Sequence, residues 1–248
     1  MQQIFEVLRE AAARYPASIA LASRSGYMTY EDFVGNVASA AHALAKAGVG
    51  PGQLVVLTGA NPDAQIILSL GLFRLGCRVG FTADVDLYDA SGVAVDVVIA
   101  DAPRPAAKHR VIVIGRDWFA GAKGSDLRLP EPANEYSIIF ASSGSTGLPK
   151  LVEYRSAALL HRVHASLWKL ERGRVLRFLS ALGSRTAAYF CNALFYLLHG
   201  AMVFSVTARD GRSVLEAIQL FRPNFVVMPP STVAEILKVM AERRMAFE

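Results

Sequence analysis

The chain has 248 residues, 53% of them apolar and 19% charged, with a net charge of +5. That length and apolar content suit one or two domains with a sizeable core and exclude a disordered segment. Lys and Arg are scattered among acids rather than clustered, which argues against nucleic acid as a partner, while a mildly positive field suits a phosphate-bearing small molecule.

Residues 2–14 place Phe5, Leu8 and Ala12 on one face at helical spacing, and Pro16 closes this helix. Glu6, Arg9 and Glu10 interrupt the apolar run that a secretory leader needs, so the expected location is cytoplasmic. A short strand follows at Ile19–Ala22, and Thr29 with Asp32 forms a capping-box pattern opening a helix that runs to Gly48. LVVL at 54–57 reads as a buried strand, and Asn61–Pro62 as the cap and first turn of a helix closed by Gly76.

Further strands are expected at 78–81, 95–100, 111–114, 137–141, 175–178, 202–206 and 225–228, and helices at 156–171, 186–198, 211–221 and 231–245. Residues 102–108 and 120–135, rich in Ala, Pro, Gly and charge, read as surface loops, and Asp84, Asp86 and Asp89 as a solvated polar turn. No charge occurs between Arg185 and Arg209, a length that would span a membrane, yet Asn192, His199 and Gly200 break it into a helix and a strand. No membrane span is expected.

Apolar, β-branched strands alternating with amphipathic helices are the pattern of an α/β fold, with parallel sheets covered by helices on both faces. Cys77 and Cys191, far apart and in no metal-ligand spacing, read as buried thiols of a reducing compartment. His161 and His164 lie three apart on a predicted helix, but without Cys or carboxylate beside them they suggest no metal site.

The segment EYSIIFASSGSTGLPK, residues 135–150, is an apolar strand running into Ser142, Ser143, Gly144, Ser145, Thr146 and Gly147, then Pro149 and Lys150. Glycines there permit close backbone approach, so successive N–H groups can converge on an anion; the hydroxyls add donors and Lys150 a full positive charge. These are the requirements of polyphosphate binding. The spacing departs from the Walker pattern, which needs glycine immediately before the lysine, where this chain has Pro149. In open α/β sheets ligands bind beyond the carboxyl ends of strands, where this loop emerges.

SSGSTGLPK, residues 142–150, resembles the phosphate-loop signature of the adenylate-forming superfamily, which includes acyl-CoA synthetases, luciferases and peptide-synthetase adenylation domains. The similarity continues in TYEDFVGNVASAAHALAKAGVGPGQLVVL and PDAQIILSLGLFRLGCRVGF before the loop, and in LFYLLHGAMVF and IQLFRPNFVVMPPSTVAEILK after it. The resemblance implies a carboxylate-activating ligase: Ser142–Gly147 would cradle the phosphates of MgATP while a small-molecule carboxylate attacks the α-phosphate, giving acyl-AMP and pyrophosphate. Transfer to a thiol, usually coenzyme A as in fatty acid metabolism, would follow. Lys150 would bind phosphate or brace the loop. No catalytic residue is assigned.

The resemblance also implies that residues 1–51 and 170–248 share one αβ subdomain, left incomplete, while 52–169 form a second that carries the phosphate loop. Two departures stand out. The family continues its lysine with glycine and then a Thr-His pair, where this chain has Leu151, Arg155 and Ser156. It also places a His or aromatic residue in the acyl pocket, where this chain reads Ala181, Leu182 and Gly183.

Glu248 precedes the family's adenine, magnesium and ribose motifs and its C-terminal lysine. The expectation is therefore an N-terminal part, inactive alone, with Mg2+ and coenzyme A requiring the remainder. A C-terminal half or a second copy of the chain would cover the open sheet. The alternative expectation is a catalytically inactive nucleotide-binding or assembly module.

Overall fold

The computed structural model describes residues 4–243 except 25, 60, 104–107, 120–131, 133, 143–148, 166–175 and 207–209. In chain order the elements are α1 (Ile4–Arg14), β1 (Ile19–Ser23), β2 (Gly26–Thr29), α2 (Tyr30–Lys46), β3 (Leu54–Leu57), α3 (Pro62–Arg74), β4 (Arg78–Phe81) and α4 (Asp86–Ala90). Then come β5 (Val97–Ala100), β6 (Arg110–Val113), a 3-10 turn (Arg116–Phe119), β7 (Ser137–Ser142), β8 (Lys150–Arg155) and α5 (Ser156–His164). The last are β9 (Arg177–Ser180), α6 (Ala187–Leu198), β10 (Met202–Ser205), α7 (Gly211–Phe221), β11 (Phe225–Val227) and α8 (Pro230–Arg243).

The strands form two sheets, one of five in the order β11-β9-β10-β1-β2 and one of six in the order β6-β5-β3-β4-β7-β8. Within each sheet the pairs are parallel except β1–β2 and β7–β8, which are antiparallel. Central strands are buried on both faces, which explains why they read as unbroken apolar runs rather than as alternation. In β3, Val55 and Leu57 face a core shared with the other sheet, while Leu54 and Val56 face a second cluster with Tyr88 of α4.

Three apolar clusters define the layers. The main one joins both sheets through α1, α2, α3, α5 and α6, with Phe5, Phe33, Phe73, Leu159 and Phe195 fully buried. A second packs Val214, Leu215, Ile236 and Met240 of α7 and α8 on the far face of the five-stranded sheet against Leu179 and Phe204. The third packs α4 on the far face of the six-stranded sheet. The order of layers is therefore helix, sheet, helix, sheet, helix.

Caps set the helix starts as the sequence suggests. The Thr29 hydroxyl oxygen accepts from Asp32 N at 3.2 Å, and Asn61 Oδ1 accepts from Asp63 N and Ala64 N ahead of Pro62 at the first turn. Where helices cross closely, small residues are required: a Cβ on Gly71 of α3 would lie 3.1 Å from the backbone nitrogen of Ala41 in α2. The buried Tyr30 hydroxyl lies 2.8 Å from the carbonyl oxygens of both Leu197 and Ala201, tying α2 to the end of α6.

Several local expectations differ from the structure. Asp86 and Asp89 belong to the short helix α4 rather than to an open polar turn, because Tyr88 anchors that segment in the core and Asp89 meets His109 at 3.1 Å. The strand expected at 175–178 occupies Arg177–Ser180, and α5 ends at His164, short of the expected 171; residues 166–175 lie outside the described ones. The strands β2 and β8 carry little apolar alternation and were not expected. Among the described residues no helix is long and apolar enough to cross a membrane, and α6 takes only 12 residues of the uncharged stretch.

Candidate functional site

All parallel strands of the six-stranded sheet end at one edge, which gathers Thr58 after β3, Thr82 after β4, Asp101 after β5 and Ser142 of β7. The hydroxyls of the first two are tied to main chain: Thr58 Oγ1 donates to Ile99 O of β5 at 3.0 Å, and Thr82 Oγ1 to Asp84 O at 2.7 Å. From this edge β7 turns back into β8. The two strands remain paired up to Ser142 and Lys150, and Ser142 Oγ donates to Lys150 O at 3.0 Å. The ends of the Ser/Gly segment are thus pinned to each other. Ser142 and Lys150 are both exposed; Ser143, Gly144, Ser145, Thr146 and Gly147 lie outside the described residues.

Beneath the hairpin the support is rigid. Phe140 of β7 packs with its ring centroid 5.6 Å from that of Phe81 and 6.0 Å from that of Phe190, and Tyr154 of β8 sits 6.1 Å from it on another side. At the opposite end of the strands Glu153 reaches across β7: its carboxylate accepts from Arg78 Nε at 2.9 Å, Arg78 Nη2 at 3.1 Å and Ser137 Oγ at 2.5 Å. The Arg78 guanidinium, more than the Ser137 hydroxyl, holds the Glu153 carboxyl below the usual carboxylate range. This tie fixes β8 in register and with it the position of Lys150.

A second element reaches the same edge from the other sheet. Arg185, in the connection from β9 to α6, donates from Nη2 to Thr58 O at 3.0 Å. The carboxyl edges of the two sheets therefore meet here. Such an edge is where α/β folds receive ligands, and Ser142 and Lys150, the described ends of the Ser/Gly segment, lie at it.

Neither cysteine is placed for nucleophilic work. Cys77 is buried, its thiol pushed up to about 12 by desolvation, and burial also raises that of Cys191. Among the described residues no group of three or more His, Cys, Asp and Glu is gathered as for a metal. His164 has its ring nitrogen 2.8 Å from Leu160 O.

Residues 8–248 match the AMP-binding enzyme family. The chain belongs to the AMP-binding enzymes. Among curated proteins it is 28% identical over 180 residues to a linear gramicidin synthase of Brevibacillus parabrevis, which is 65% of this chain and 3% of that protein. It is 26% identical over 240 residues to nonribosomal peptide synthetase 1 of Aspergillus fumigatus, 92% of this chain and 4% of that one.

Solved adenylate-forming structures share the fold. The Klebsiella oxytoca NpsA N-terminal subdomain, in complex with 3-hydroxybenzoyl-AMSN, superposes with TM-score 0.75 at 18% identity, covering 91% of this chain and 59% of that one. The o-succinylbenzoate CoA synthetase MenE of Bacillus subtilis, in complex with the acyl-adenylate intermediate OSB-AMP, gives 0.78 at 17%, covering 94% and 63%. The chain therefore spans less than two thirds of the length of each of these relatives. In this AMP-binding chain the helix-covered α/β architecture is that of the family's N-terminal region.

Sequence reasoning did not anticipate the roles of Arg185 and Glu153. The partner of Arg185 lies 127 residues away and those of Glu153 lie 75 and 16 away, and neither residue stands in a motif. The run KLVEYR after the loop held the available signal, since a strand directly after a turn at a sheet edge pairs antiparallel.

Proposed function

We propose that this AMP-binding chain carries the nucleotide-phosphate segment of an ATP-dependent ligase that activates a small-molecule carboxylate as its acyl-AMP. The observation that carries the proposal is the β7–β8 hairpin at the carboxyl edge, which fixes Ser142 and Lys150 side by side at the two ends of an SSGSTG sequence. In this reading Ser142, Ser143, Gly144, Ser145, Thr146 and Gly147 donate to the β- and γ-phosphates, and Lys150 offsets the charge that grows on pyrophosphate as it leaves. Donors fixed before the reaction stabilise that charge without reorganising during it.

Mg2+ supplies charge neutralisation on the phosphates when it is bound. It commonly arrives on the triphosphate with most of its ligands from phosphate and water, which suits an edge offering hydroxyls and a lysine rather than a cage of carboxylates. Thiol capture of the acyl group, with coenzyme A as acceptor, is the step we place after adenylation; MenE, a CoA synthetase by name, shares the fold. In the same reading residues 1–51 with 170–248 form one subdomain and 52–169 the other, with the nucleotide between their carboxyl edges.

The test is carboxylate-dependent exchange of labelled pyrophosphate into ATP, run over a panel of aryl, alkyl and amino acids. The proposal expects exchange with one class of acid only, lost at least tenfold in Lys150→Ala. Binding of MgATP without exchange on any acid would instead favour a nucleotide-binding module.

A further inference from the structure

A cavity of about 250 Å³ opens at the carboxyl ends of β1 and β10, on the five-stranded sheet rather than at the edge that carries Ser142 and Lys150. The chain leaves these neighbouring strands in opposite directions, β1 into the β1–β2 hairpin and β10 towards α7 on the far face. The crevice between them is closed on one side by the first turn of α3 and on the other by α7.

Its polar lining includes Asp63 and Ser205, together with Ser23, Asn61, Ser213 and, at the rim, Arg24. Ser205 Oγ donates to Asp63 Oδ1 at 2.5 Å, and the buried Tyr189 hydroxyl lies 3.2 Å from the same Ser205 oxygen. With Ser205 committed to Asp63, Tyr189 is the donor of that second bond, so all three groups are oriented. The second carboxylate oxygen of Asp63 accepts no hydrogen bond from a described residue. Arg24 at the rim is turned instead to Glu216, 2.6 Å away. Burial pushes the Asp63 carboxyl above the usual range, against the opposing hydrogen bond from Ser205. One wall is apolar: Val206, Ala217 and Phe221, the last stacked on Phe204 at 4.4 Å.

A half-buried carboxylate with one oxygen open to a cavity attracts a cation. The volume is too large and the ligand set too small for a metal ion, which would take several oxygens. An anion would meet Asp63 unfavourably, and a fully apolar ligand would leave it unpaired. We infer that this cavity binds a small organic cation, a primary amine with a short apolar tail, its ammonium on the free oxygen of Asp63 and its tail against Val206, Ala217 and Phe221. The cavity includes neither Ser142 nor Lys150, and the inference does not depend on the ligase reading.

The test is titration of the chain with n-butylammonium, compared with butan-1-ol and butyrate, by calorimetry and by chemical-shift mapping. Butylammonium is expected to bind at least tenfold more tightly than either isostere, with shifts at Asp63, Ser205 and Ala217. Asp63→Asn, which keeps the shape, should lose at least tenfold. Ala217→Leu, which keeps the charge and fills the cavity, should lose a similar factor. Equal affinity for amine and alcohol, or full retention in either folded variant, overturns the inference; should Asp63→Asn fail to fold, the wild-type comparison and Ala217→Leu decide.

Discussion

Asp63 shows how a residue can be legible in one role and hidden in another. As the second residue after Asn61 it fits the start of α3, where the helix dipole favours an acid. Its contact with Ser205, 142 positions away, appears only in the folded chain. Burial raises its folded pKa above the unfolded value, so the folded state holds the proton more tightly. Stability attributable to this group therefore falls as pH rises from the unfolded pKa, about 3.9, through the folded one, and the loss is complete above it. Asp63→Asn removes that loss. The variant should be more stable than the parent at pH 7, and the gain should vanish below about pH 3.9. Urea unfolding at the two pH values checks this, and a variant less stable at pH 7 would contradict it.

Among the elements, the parallel strands and their helices announce themselves because each strand is buried on both faces and each helix start carries its own cap. LVVL and the Asn61–Pro62 pair locate β3 and α3 without tertiary information. The antiparallel edge strand β8 does not, since its burial is partial and its residues read KLVEYR. Its ladder with β7 is reinforced by a tie from Glu153 to Arg78 and Ser137, spanning three strands. Glu153 has a folded pKa depressed chiefly by Arg78, so its contribution is present above its unfolded pKa and is lost as pH falls through the folded value. Because both partners are more than a third exposed, the contribution is modest, about 0.5 kcal/mol. Glu153→Gln should therefore speed exchange of the β8 amides about two- to threefold at neutral pH, a difference that closes at acid pH; hydrogen exchange resolved by residue measures it. Unchanged exchange would remove Glu153 from the support of the hairpin.

At the scale of the whole molecule, two helix-covered sheets turn their carboxyl edges together, with Arg185 bridging to Thr58. The α/β class was legible in the sequence, because chain-local patterns encode it, and the same kind of pattern raises the proposal that 142–150 binds an anion. The stacking of the sheets and the cavity beside Asp63 were not legible, because they depend on contacts between residues more than a hundred positions apart. The AMP-binding family match over residues 8–248 and the fold of its solved relatives agree with that architecture. The central claim is that the segment between β7 and β8 receives nucleotide phosphates, and calorimetric titration of MgATP into this chain, its Lys150→Ala variant and a Gly144→Val, Gly147→Val double variant tests it most directly. The account predicts binding by the parent that weakens at least tenfold in the glycine variant, whose side chains would block the close approach of backbone to phosphate. Binding of equal strength in the parent and the folded glycine variant would contradict it.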